Sequence, residues 1–103
     1  MKCFVTFRLR PEISAEEYEQ WFRTVNVPAI GKMTTVGEYR VWRVAGAAEG
    51  EAPYQILEEM EIPDRKSFEE ELDRVPEVVA MLEQWYARVT DEVIVYADEV
   101  AQS

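Results

Sequence analysis

Glu58 lies in the run YQILEEMEI, residues 54–62, and shares alternation parity with Tyr54, Ile56, Met60 and Ile62. A regular strand therefore sets this carboxylate on an apolar face. A buried carboxylate must be paired, or must keep its proton to higher pH. Either state suits chemistry: a general base, or an acceptor that orients a ligand N–H. Arg8, Arg40 and Arg43 are its candidate partners, and a structural ion pair at a subunit seam is the plainer reading. Glu59 and Glu61 alternate to the opposite face, so no carboxylate metal site is expected. Asn26 is the second candidate catalytic residue. It ends the apolar stretch of WFRTVNVPAIGKM, residues 21–33, just before a Val-Pro step and a Gly. An amide there can donate to a ligand carbonyl and accept from another polar group. The plainer reading is a turn residue that bonds its own backbone.

Flat aromatic groups surround these polar ones. Phe4, Tyr39, Trp42, Tyr54, Trp85 and Tyr96 could line a pocket for a small aromatic ligand, with Thr6 and Arg8 on the parity of Phe4. Trp21, with Phe22, would cover the sheet from above. Small residues after Asn26 would leave an entrance with that amide at its lip. Ordinary core packing is the alternative for any one of these aromatics. Tyr39 or Tyr96 could donate to a developing oxyanion.

Other chemistry is excluded by what the chain lacks. It contains no histidine, which removes the commonest general base, most zinc sites and the usual haem ligand. Ser14, Ser67 and Ser103 then have no imidazole to activate them. Cys3 is the only cysteine. It forms no internal disulfide and reads as a small buried hydrophobe. No Gly-rich phosphate loop is present, so no cofactor is expected.

A single domain spanning residues 1–103 must position these groups. Hydrophobic residues make up 48% of the chain, enough for a packed core. The net charge is -10, which disfavours nucleic acid and anionic membrane. The acid is concentrated late. Residues 1–43 hold seven Lys/Arg against five Asp/Glu, and residues 44–103 hold four against sixteen. No apolar run approaches 18 residues and no signal peptide is seen, so a cytoplasmic protein is expected.

The spacing predicts a strand over 2–10, stopped by Pro11. A helix follows, with Ser14 and Glu17 as a capping box and Ile13 against Tyr18 as a hydrophobic staple. Pro28 and Gly31 end it or break it. Strands are predicted over 35–46, 54–62 and 91–100. Between the last two lie a helical stripe of Phe68, Leu72 and Val75, capped by Asp64, and a second piece opened by Pro76 with Val78, Leu82, Trp85 and Val89. The order β-α-β-β-α-β gives an α+β, ferredoxin-like, four-stranded antiparallel sheet with its helices on one face. Large apolar groups occur at both parities of the strands: Val5, Phe7 and Leu9 against Phe4; Tyr39 and Val41 against Trp42; Val93 and Val95 against Ile94 and Tyr96. The second face should therefore be buried against another copy, as a homodimer.

The stretches FRLRPEISAEEYEQW (7–21), YRVWRV (39–44), PYQILEEMEI (53–62) and PEVVAMLEQW (76–85) resemble the dimeric α+β barrel superfamily, and within it the REDY-like, HapK-type family. The likeness is one of layout and hydrophobic spelling over most of the chain. It implies a homodimer with a cavity between sheet and helices in each subunit. It also implies a role on small aromatic, pyrrolic or indolic intermediates in secondary-metabolite biosynthesis of the prodigiosin type. Whether a reaction is catalysed is left open. EthD-like proteins resemble the opening stretch as well, with a His-x-Pro step where this chain has Asn26, Val27 and Pro28. That departure weakens any mechanism needing a base there. Two other functions remain: a cofactor-free monooxygenase of the same superfamily, and a non-catalytic dimeric module that offers its acidic surface to a basic partner.

Overall fold

The computed structural model describes all residues, Met1–Ser103. Strand β1 spans Lys2–Leu9, helix α1 Ala15–Trp21, helix α2 Val27–Ile30, strand β2 Tyr39–Arg43 and strand β3 Ile56–Glu61. Helices α3, Arg65–Arg74, and α4, Pro76–Tyr86, precede strand β4, Val89–Ala97. The strands form one antiparallel sheet in the order β2-β3-β1-β4. This is the ferredoxin-like arrangement that the sequence predicts, with the second helix in two pieces.

Alternation builds the core. Cys3, Val5, Phe7 and Leu9 of β1 are buried, as are Ile56, Glu58 and Met60 of β3. The helices close over this face with Tyr18, Trp21, Phe68, Val78, Met81 and Trp85. The local signals act as expected. Ser14 Oγ accepts from the Glu17 N–H at 3.1 Å and Asp64 Oδ1 from the Ser67 N–H at 2.7 Å. Each satisfies one of the donors that a helix start leaves unpaired.

Several boundaries differ from the sequence reading. At the corner after α1 the helix is broken into a short second piece rather than ended, one of the two outcomes the sequence allows. The chain stays helical through a widened π turn, Phe22–Asn26, in which the Val27 N–H reaches Phe22 O. Pro28, which has no N–H to donate, then falls in the first turn of α2, where none is needed. Strand β2 starts at Tyr39 rather than at 35, because the N–H groups of Thr34 and Thr35 donate to the carboxylate of Glu71. Strand β3 starts at Ile56 rather than at 54; Gln55 still donates its N–H to Phe7 O and accepts from the Val44 N–H, and its side-chain Oε1 accepts from the Leu9 N–H. Helix α4 stops at Tyr86, so Val89 is the buried first residue of β4 and not part of the helical stripe. Next to it Asp91 takes a positive φ of 56°, a conformation short polar residues tolerate. It adjoins the register shift between Thr6 and Arg8.

The other face of the sheet is bare. It carries Phe4 and Leu57 half-buried, and Trp42, Val93 and Val95 about half exposed. Lys2, bridged to Glu59 and Glu61 at 3.5 and 3.0 Å, lies among them. No helix is long and apolar enough to cross a membrane.

Candidate functional site

Three polar side chains meet between the sheet and the helices. Glu58 comes from β3, Tyr39 from the first position of β2, and Asn26 from the last position of the π turn. Tyr39 pairs with Met60 and Val41 with Glu58. Tyr39 and Glu58 are thus diagonal neighbours on one face, within reach of a long side chain. Tyr39 Oη bonds to Glu58 Oε1 and lies 2.9 Å from Asn26 Oδ1. The Asn26 amide nitrogen donates to Met81 Sδ of α4 at 3.3 Å. The π turn widens the helix by one residue, which rotates Asn26 inward. It is 3% exposed, so it lies at the floor and not at the lip of an entrance.

This chain of side chains borders a half-open cavity of about 570 Å³, a size that admits a small aromatic molecule. Phe68, Met81, Trp85, Ile94 and Tyr96 wall it, with Arg65 and Glu69 among its polar groups. A second cleft, about 700 Å³, lies on the other side of Tyr39 and Ile30, against α1 and α2. It has neither Glu58 nor Asn26 in its wall.

Glu58 has no cationic partner. Arg8 donates to Ala52 O at 2.6 Å, Arg40 pairs with Glu38, and Arg43 pairs with Glu19. The expected ion pair is therefore absent, and the reason is geometric: Arg8 and Arg40 sit at the opposite parity, and Arg43 reaches outward to α1. Burial pushes the Glu58 carboxyl up to about 7, partly offset by the Tyr39 hydroxyl. Burial also raises the Tyr39 phenol well above its ordinary value, reinforced by the Glu58 charge. A carboxyl poised near neutrality inside an apolar cavity can exchange a proton with a ligand. The same burial lifts Cys3 to about 11, so this cavity-wall thiol is not a nucleophile.

The structure brings Glu58, Asn26, Tyr39, Trp85 and Tyr96 to one cavity. Phe4, Thr6, Arg8 and Trp42 lie on the bare face, on the far side of the sheet from it. The sheet register sets Phe4, Thr6 and Trp42 opposite Glu59 and Leu57, the face turned away from Glu58. Trp21 packs elsewhere, its indole donating to Gln84 Oε1 at 2.9 Å under the Arg88 guanidinium. Sequence reasoning missed the direct Tyr39–Glu58 bond and the role of Met81. The first was legible only with the strand register. The second needed the packing of α4 on the π turn. Tyr18 Oη and Trp85 Nε1 are buried without a hydrogen-bond partner. No group of three His, Cys, Asp or Glu is placed to hold a metal ion.

The family model of the REDY-like protein HapK matches residues 1–100. The chain belongs to the REDY-like HapK family. Among solved structures it is similar to HapK from Hahella chejuensis, at 19% identity and a TM-score of 0.73 over 100% of this chain and 98% of that one. It is similar to a dimeric ferredoxin-like protein of Thermobifida fusca, at 19% identity and 0.71 over 91% and 85%. It is also similar to a mutant of SnoaB, a cofactor-independent oxygenase from Streptomyces nogalater, at 13% identity and 0.69 over 99% and 96%. None of the curated proteins matches it in sequence. At these identities the structural likenesses establish the fold. For this REDY-like chain, chemistry must be argued from Glu58 and its neighbours.

Proposed function

We propose that this protein binds a small aromatic intermediate and acts on it without metal or cofactor, Glu58 serving as the buried general base. The observation that carries this reading is a carboxyl held near neutrality at the wall of an aromatic-lined cavity, bonded to Tyr39. Phe68, Trp85 and Tyr96 offer flat apolar surface. Glu58 takes the acidic N–H, O–H or activated C–H proton of the ligand. A pyrrolic or indolic compound of secondary metabolism, of the prodigiosin type, fits this chemistry, and the HapK family supports that pathway. The working unit is a homodimer joined through the bare sheet face. Trp42, Val93 and Val95 are 47–54% exposed there, and a domain of this size gains from covering such a surface.

Two measurements test the reading. A flat pyrrolic or indolic ligand should raise the melting temperature of the wild type, the shift growing with the logarithm of ligand concentration above the dissociation constant. Glu58→Gln should retain that shift and lose turnover by about 10²-fold or more. No shift with any such ligand, or unchanged turnover, refutes the site. Sedimentation should show a dimer at micromolar concentration that Trp42→Glu converts to a monomer. A wild-type monomer would refute the shared face.

A further inference from the structure

Tyr39 Oη stands between two oxygens, Glu58 Oε1 and Asn26 Oδ1. A phenol has one proton. With Glu58 ionised, that proton serves only one neighbour, and at the other contact two sets of lone pairs face each other. A proton on Glu58 removes the conflict. Glu58 then donates to Tyr39, and Tyr39 donates to Asn26. The amide could relieve the ionised state by turning over, but its nitrogen is engaged with Met81 Sδ at 3.3 Å. A reversed amide would set oxygen against sulfur with no hydrogen between them.

We infer that Asn26, fixed by Met81, is a positioning residue that increases the basicity of Glu58 by giving the Tyr39 hydroxyl proton a second acceptor. The inference rests on the reading of Glu58 as base and adds how the base is tuned. When Glu58 takes a proton from the ligand, the Tyr39 hydroxyl proton swings from Glu58 to Asn26. No further proton moves, so the charge left by the ligand proton stays on the ligand. Tyr39 and Asn26 thus act in opposite senses on one carboxyl. Tyr39 alone favours the ionised form, and Asn26 withdraws that help.

Other groups around Glu58 do not supply this effect. Tyr18 of α1 and Cys3 of β1 feel its charge, and burial keeps both neutral through the neutral range. Arg65, Glu69 and Asp73 of α3, Tyr86 of α4 and Tyr96 of β4 line the same cavity. Arg65 pairs with Glu69 at 3.1 Å, and the Glu69 carboxylate accepts from Tyr96 at 3.1 Å.

Infrared difference spectra across a pH titration of the unliganded protein read the inference directly. The carbonyl band of the protonated Glu58 is assigned by its loss in Glu58→Gln. Tyr39→Phe should move the midpoint up, and Asn26→Leu should move it down. Each shift should be about one pH unit, the scale of one hydrogen bond to a charged group. Met81→Leu, a volume-conserving change, should move it down by less, because it frees the amide to turn. It keeps the test usable if Asn26→Leu fails to fold. Asn26→Leu and Met81→Leu midpoints that stay or rise overturn the inference. If the shifts have the expected signs but Glu58→Gln still turns over ligand, the tuning stands and the base reading falls. If no such band titrates near neutral pH, both fall.

Discussion

Glu71 and Glu58 are hidden from solvent to a similar degree, 2% and 4% exposed, yet their surroundings push them in opposite directions. Glu71 of α3 lies covered but close to the surface. Burial raises its carboxyl, but four hydrogen bonds outweigh that and hold it at about 2. Those bonds come from the N–H and hydroxyl of Thr34, at 2.9 and 2.6 Å, and of Thr35, at 2.8 and 2.7 Å. Glu58 has the Tyr39 phenol as its one hydrogen-bonding partner, and its carboxyl rises to about 7. Burial by itself therefore does not mark a functional carboxylate. The number and kind of donors does. Glu71 is a clasp that ties the segment between α2 and β2 to α3. That tie delivers Tyr39 to the start of β2 and so to Glu58.

The largest effect expected from this contrast is on stability. Glu71→Ala should cost about 2–4 kcal/mol, because it takes one charged acceptor from four donors at once, those of Thr35 half-buried and those of Thr34 open to water. Urea denaturation at pH 7 measures it. A loss below about 1 kcal/mol would mean that water replaces the carboxylate freely and that the clasp is an ordinary surface contact. The acid side carries its own signature. The folded-state carboxyl lies below its ordinary 4.5, so the contribution is complete above that pH and is lost as pH falls from there toward about 2.

The two carboxylates also differ in how far the sequence exposes them. Glu58 is visible at once, because an acid at the parity of Ile56, Met60 and Ile62 breaks an apolar alternation. Glu71 does not stand out in the sequence. It sits in the acidic run FEEELDR, where one more Glu looks like a solvated helix face. Its spacing three residues after Phe68 puts it on the buried stripe, and that was the available signal. The element order and the caps were legible because they depend on local chemistry and period. Tyr39 as the partner of Glu58 was not, since nothing local fixes the β2–β3 register. Asn26 stands out in the sequence as a polar residue at a corner, but its burial depends on a π turn that no propensity announces. Phe4, Thr6 and Arg8 fall away from the cavity because parity tells which residues share a face, not which face the helices cover; Trp42 is separable by parity alone, since it opposes Tyr39 on one strand.

The second effect is smaller and has the opposite sign. Glu58→Gln keeps the shape of the side chain and removes the charge. In the wild type the folded carboxyl titrates at about 7 against an ordinary 4.5. Between those values the folded chain holds a proton that the unfolded chain has released. Wild-type stability must then fall as pH rises through this window, and level off above it. Gln has no such slope. The variant should match the wild type near the bottom of the window and exceed it at pH 8 by up to about 3 kcal/mol. Denaturation midpoints at intervals from pH 4.5 to 8 would show the gap opening. A gap that stays flat would mean that the Glu58 carboxylate is hydrated in the folded protein. The cavity would then be wet at its polar end, and Glu58 would no longer be the underpaired counterpart of Glu71.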